Sequence, residues 1–182
     1  IWYNIGLSEF KLEMHDEAYQ SFDLSLTISP DFAQAILMKG LVLLEQEKYR
    51  LAKKNIEKAL KLGLESEDKV LAYSKLGFCY VGIDKWENAL GYFNTALELD
   101  DEDINAILGK AVVLRVLGSV DESNELINEI MEIDPDNTEI IEIIENFDSI
   151  VDNEIEISYE EENYDEYVKD KPYTEESKND DK

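Results

Sequence analysis

Residues 73–100 read YSKLGFCYVGIDKWENALGYFNTALELD, and the fold follows from how this stretch is read. Apolar side chains recur through Tyr73, Leu76, Phe78, Tyr80 and Val81, GID interrupts them, and they resume at Trp86, Ala89, Leu90, Phe93, Ala96 and Leu97 before LDDED stops the run. A period of about 3.6 residues, broken once and closed by polar residues, predicts helix, short turn, helix. Gly77 stands inside the first helix, where glycine costs roughly 1 kcal/mol against alanine. A close approach of two antiparallel helices at Gly77 and Ala89 supplies the reason, because a larger side chain there would wedge them apart. Tyr73, Tyr80 and Phe93 then fill the space around that contact.

The same spacing of small and large residues recurs along the chain. Gly77 aligns with Gly6, Gly40 and Ala111, and Ala89 with Ala18, Ala52 and Ser123, both at spacings of 34, 37 and 34 residues. Phe93 aligns with Phe22, Ile56 and Ile127, and Ala96 with Ser25, Ala59 and Ile130. Pro30 and Pro135 close their units just past a helix end, where a residue without an N–H cannot continue the ladder. Leu64 and Asp101 take that place in the middle units. The longer middle spacing implies a three-residue insertion within GLESEDKV, residues 63–70. Four units follow, at 1–32 (truncated at its start), 33–66, 70–103 and 104–137. Beyond them TEIIEIIENFDSIV, residues 138–151, carries Ile140, Ile141, Ile143, Ile144 and Phe147 on a helical period and reads as a capping helix for the last unit. Residues 152–182 hold 13 acids, 4 lysines and 4 tyrosines. Such a composition cannot offset its own ordering entropy, so an acidic flexible tail is expected, with docking through Tyr159, Tyr164, Tyr167 and Tyr173 as the alternative.

The pattern resembles the tetratricopeptide repeat (TPR) family, W-x2-L-G-x2-Y, then A-x3-F, then P, over about 34 residues. YSKLGFCY with ALGYF matches it closely apart from Asp101 in place of proline, and WYNIGLSE with AYQSF and Pro30 matches with Ile5 for Leu and Glu9 for Tyr. Residues 33–66 keep Gly40, Ala52 and Ala59 but carry Ile36 at the aromatic place; residues 104–137 diverge most. The resemblance covers residues 1–137. It implies an all-α fold, an α-solenoid of antiparallel helix pairs wound as a right-handed superhelix.

Charge and chemistry narrow the function. With 43 Asp plus Glu against 17 Lys plus Arg, a net charge of −26, the surface repels phosphate backbones and anionic lipid, so neither nucleic acid nor membrane is an expected partner. No basic stripe interleaved with aromatics stands out. Cys79 is the single cysteine, so no intrachain disulfide or thiolate metal site forms. No apolar run approaches the roughly 20 residues of a membrane span. The opening IWYNIG has neither an initiator Met nor a signal-peptide pattern and reads as the inside of a helix, so a piece of a longer cytoplasmic protein is expected.

Phosphate loops, dinucleotide fingerprints and HExxH are missing. His15, the only histidine, falls in a turn column shared with Tyr49 and Trp86, a packing position. Cys79, between Phe78 and Tyr80, reads as a buried inert thiol. DPDNTEIIEIIE, residues 134–145, sets Asp134, Asp136 and Glu145 at calcium-loop spacing, but Glu139 stands where the sharp turn needs glycine and Thr138 replaces a ligand. DDED, residues 100–103, reads as a solvated turn. The expectation is therefore a protein that is not an enzyme and takes no cofactor or metal.

By the family resemblance, the first helix of each pair lines a concave groove that takes an extended or helical peptide. The register assigns Tyr3, Asn4, Leu7, Phe10 and Lys11 from the first unit, and Gln34, Leu37, Met38, Leu41 and Leu44 from the second. The third gives Leu71, Ser74, Lys75, Phe78 and Val81, and the fourth Asn105, Leu108, Val112 and Arg115. Relatives that grip acidic chaperone tails use a clamp of Lys, Asn and Arg. Here the matching places hold Tyr3, Leu7, Met38, Leu71 and Lys75, or, one unit later, Leu37, Leu41, Lys75, Asn105 and Gly109, which disfavours that mode. An apolar stripe facing solvent would instead call for cover. The expected partner is a protein segment with apolar anchors and a basic rim. Self-association into a homo-oligomer and a targeting role for an enzyme domain elsewhere in a longer chain are the alternatives.

Overall fold

The computed structural model describes residues 1–136 together with 138, 141, 142 and 146, and among these the secondary structure is entirely helical. The elements are α1 (Trp2–Lys11), α2 (His15–Ile28), α3 (Ala33–Glu45), α4 (Tyr49–Leu62), α5 (Ser66–Val81), α6 (Trp86–Leu99), α7 (Ile104–Val116) and α8 (Val120–Ile133). They pair in sequence as α1–α2, α3–α4, α5–α6 and α7–α8, and each second helix packs on the first helix of the next pair. First helices also meet one another directly, α1 with α3, α3 with α5 and α5 with α7. A layer whose successive members touch is the inner layer of a curved stack. The chain is an α-solenoid.

Small-on-large contacts hold each pair together. A Cβ added at Gly6 would lie 2.8 Å from the Phe22 ring, and one at Gly40 would lie 2.8 Å from Ile56. At Gly77 it would clash with the ring of Phe93, the residue in the same register. Phe22, Ile56 and Phe93 are each fully buried. Gly109 was not part of the repeat pattern, yet it meets the same Phe93 ring from the following pair. In the fourth pair Ala111 replaces glycine, and Ser123, fully buried, donates a 2.9 Å hydrogen bond from Oγ to the Ala111 carbonyl.

The turns repeat as well. Glu13, Glu47 and Asp84 take φ of 59°, 57° and 56°, and Gly118 takes 87° at the equivalent place. The next N–H in each case reaches back around the helix end: Met14 to the Glu9 carbonyl (3.0 Å), Lys48 to Leu43 (2.9 Å), Lys85 to Tyr80 (2.9 Å) and Ser119 to Leu114 (2.8 Å). These are Schellman closures, which satisfy carbonyls left open at a helix end and require a left-handed residue.

The third helix pair begins earlier than the sequence suggested. α5 starts at Ser66 rather than at 70 and runs 16 residues, against 13 for α3 and α7, so the insertion lengthens a helix instead of a loop. Glu67 and Asp68 in its first turn complement the positive end of the helix, and Leu64, 6% exposed, pins the short connector to the core. The proposed capping helix at 138–151 and the acidic tail at 152–182 lie outside the described residues, apart from isolated positions in the former.

Candidate binding face of the first helices

The inner layer positions the candidate groove. Three of its expected members are not exposed: Leu37 (1%), Leu41 (5%) and Ser74 (1%) are buried. Because neighbouring first helices touch, side chains aimed along the inner layer sink into the seam between them. Leu37 and Leu41 of α3 share a core cluster with Ala72, Leu76 and Cys79 of α5. Asn4, Lys11 and Asn105 are exposed. Tyr3, Leu7, Phe10, Gln34, Met38, Leu44, Leu71, Lys75, Phe78, Val81, Leu108, Val112 and Arg115 are half-buried. The stripe expected to face solvent is thus a row of half-sunk apolar side chains.

Several of these side chains are fixed by aromatic contacts. The Tyr3 ring lies 5.9 Å from Phe22 and 4.9 Å from Phe32. Burial, and then the charge of Asp68, pushes the Tyr3 hydroxyl pKa up, so the extra turn of α5 reaches the field around α1. Phe10 meets the edge of His15 at 5.9 Å. His15 begins α2 rather than lying in the turn. Phe78 sits edge-on to Phe93 at 5.1 Å, with the Lys75 ammonium 5.3 Å from its ring centre. Arg115 donates from Nη1 to Asn124 Oδ1 at 2.9 Å, a bond that ties it to α8.

An aromatic cluster around Tyr92 escaped the sequence reading. Tyr92 stacks on Tyr80 at 5.0 Å and on Tyr73 at 6.4 Å, and burial, then the neighbouring Tyr80 hydroxyl, pushes its own hydroxyl up to about 12. Its neighbour in sequence, Phe93, drew the pattern and left it unread. Cys79 is buried, and desolvation, then the charge of Glu57, pushes its thiol up to about 12. A thiol held protonated is a poor nucleophile. Among the described residues no group of three or more His, Cys, Asp or Glu is arranged to hold a metal ion, and no helix is long and apolar enough to cross a membrane.

Known proteins share this arrangement. A tetratricopeptide repeat model matches residues 1–32 and 33–62. A TPR repeat-containing protein of Methanocaldococcus jannaschii is 27% identical over 148 residues, covering 80% of this chain and 25% of that protein. Human protein O-mannosyl-transferase TMTC3 is 31% identical over 117 residues, 64% of this chain and 12% of that one. The chain therefore spans a quarter or less of the length of these curated relatives. Among solved structures, YrrB, a TPR protein with an unusual peptide-binding site, superposes with a TM-score of 0.61 at 26% identity, covering 76% of this chain and 70% of that one.

Proposed function

Because the chain belongs to the tetratricopeptide repeat family, a protein-interaction scaffold, we propose that it is non-catalytic and captures a protein segment on the inner face of its first helices. The observation that carries this reading is the half-buried apolar row through Leu7, Met38, Leu71, Phe78 and Leu108, on helices that touch side by side. Covering a large apolar side chain fully stabilises by roughly 1.5–3 kcal/mol, and a row of partly covered ones leaves a fraction of that to be gained on binding. An amphipathic helix with anchors at i, i+3 or i+4, and i+7 fits such a row. YrrB's peptide-binding site is a precedent on the same fold. The chain's net charge of −26 favours a partner with a basic rim and an on-rate that falls with salt.

The experiment is selection of helical peptides from a displayed library by the 182-residue chain, followed by Leu71→Asp and Leu108→Asp. Each variant is expected to weaken the selected peptide by about tenfold or more, since about 1.4 kcal/mol is lost per decade, while the helical circular dichroism stays unchanged. Equal affinity in both variants would refute the groove reading. Leu41→Asp does not serve as a test, because Leu41 is buried and a carboxylate there would attack the fold itself.

A further inference from the structure

The charge of −26 is not spread evenly. α4 reads YRLAKKNIEKALKL and carries Arg50, Lys53, Lys54, Lys58 and Lys61 against a single carboxylate, Glu57. Lys53 is engaged, 3.7 Å from Glu57 and 4.9 Å from the centre of the Tyr80 ring. The other four lie at i, i+4, i+8 and i+11, one line down the helix, and all four are exposed. No carboxylate among the described residues lies within ion-pair distance of any of them. Like charges four apart on a helix destabilise it. Leu51 (54% exposed) and Leu62 (40%) edge the same face. The result is a basic, partly apolar surface on a second helix, away from the first-helix face, in a strongly acidic protein.

We propose that this exposed face of α4 is the docking site of the chain's own acidic segment, residues 152–182. The charges complement each other: that segment holds 13 acids against 4 lysines, and its four tyrosines suit the leucines at the edge of the stripe. Geometry permits it. Neighbouring helix axes lie about 8–10 Å apart, so α4 is at most about 40 Å from α8 in four such steps. Residues 143–182 can span about 130 Å when extended. Tethering raises the local concentration of the segment to the millimolar range, which favours it over acidic segments of other chains. Occupation in this way would neutralise the repelling row and leave the first-helix face free.

The test uses the intact 182-residue chain with a nitroxide attached at Ser177→Cys. Cys79 is buried with its thiol protonated, so the label goes to position 177. Amide signals of residues 50–62 should broaden at about 0.1 M salt and recover at about 1 M, as the Debye length falls from about 10 Å to about 3 Å. They should also recover in the triple variant Lys54→Glu, Lys58→Glu, Lys61→Glu, with residues 120–133 of α8 as the internal comparison. Broadening no greater on α4 than on α8, or insensitive to salt, overturns the proposal even if the triple variant fails to fold. Broadening in a mixture of spin-labelled chains and separate isotope-labelled chains assigns the contact to a second copy and overturns docking within one chain.

Discussion

In the hairpin α5–α6, Phe93 is fully buried in room left by Gly77 on its partner helix and by Gly109 on the next one. In α7–α8 the corresponding places hold Ala111 and Ile127, and Ile127 is only half-buried. α6 buries Ala89, Phe93 and Ala96, whereas α8 buries Ser123 and Ile130. The two hairpins share one motif and differ in the contacts described for their second helices: α6 packs on both α5 and α7, and among the described residues α8 packs chiefly on α7. A helical hairpin in a solenoid draws its stability from its neighbours as well as from its own packing, and within the fourth one the Ser123–Ala111 hydrogen bond stands where the other hairpins have small-on-large contacts.

The largest expected break in this comparison is at the ring itself. Phe93→Ala should lower unfolding free energy by about 3–5 kcal/mol, as for other buried aromatics, with Ile127→Ala costing less than half as much in urea titrations of the same chain. Equal losses would remove the distinction between the hairpins. At the turns, Gly118→Asp should cost about 1 kcal/mol and Asp84→Gly should return a similar amount, since left-handed backbone is strained for residues other than glycine. Thermal melts of the pair check this. Ser123→Ala should cost about 1 kcal/mol by removing the buried bond that replaces ring packing in α7–α8; no loss would mean the bond is not what holds that hairpin. The smallest effect is a gain: Gly91 in α6 is exposed with open space around it, so Gly91→Ala should stabilise by about 0.5–1 kcal/mol. Its counterpart in α8, Glu125, offers no such improvement.

Much of the stack was legible because its rules are local. Gly77 with Phe93, Gly6 with Phe22 and Gly40 with Ile56 each sit sixteen residues apart, so pairing and register could be read from spacing. Gly109 could not, because its contact with Phe93 joins two hairpins and has no counterpart in the repeat. The insertion was located to residues 63–70, but its conversion into an extra turn of α5 depends on Leu64 anchoring the connector. The basic row of α4 was in plain view in YRLAKKNIEKALKL, and the chain-wide acidity masked it. Of the candidate groove, Leu37, Leu41 and Ser74 sank into the seam while Leu7, Leu71 and Leu108 stayed half-exposed, although Leu7 matches Leu41 and Leu108 matches Leu37 and Ser74 in the repeat.

The amino-acid sequence by itself determined the helix–turn–helix unit, its repetition and its matched small and large positions, because periodicity and close packing within a hairpin act over a few turns of chain. The tertiary structure alone decided which apolar positions stay partly exposed and which cations line an open face. Exposure depends on how hairpins lean on one another, and that angle is set by contacts between repeats, such as Phe93 against Gly109, which no local pattern encodes.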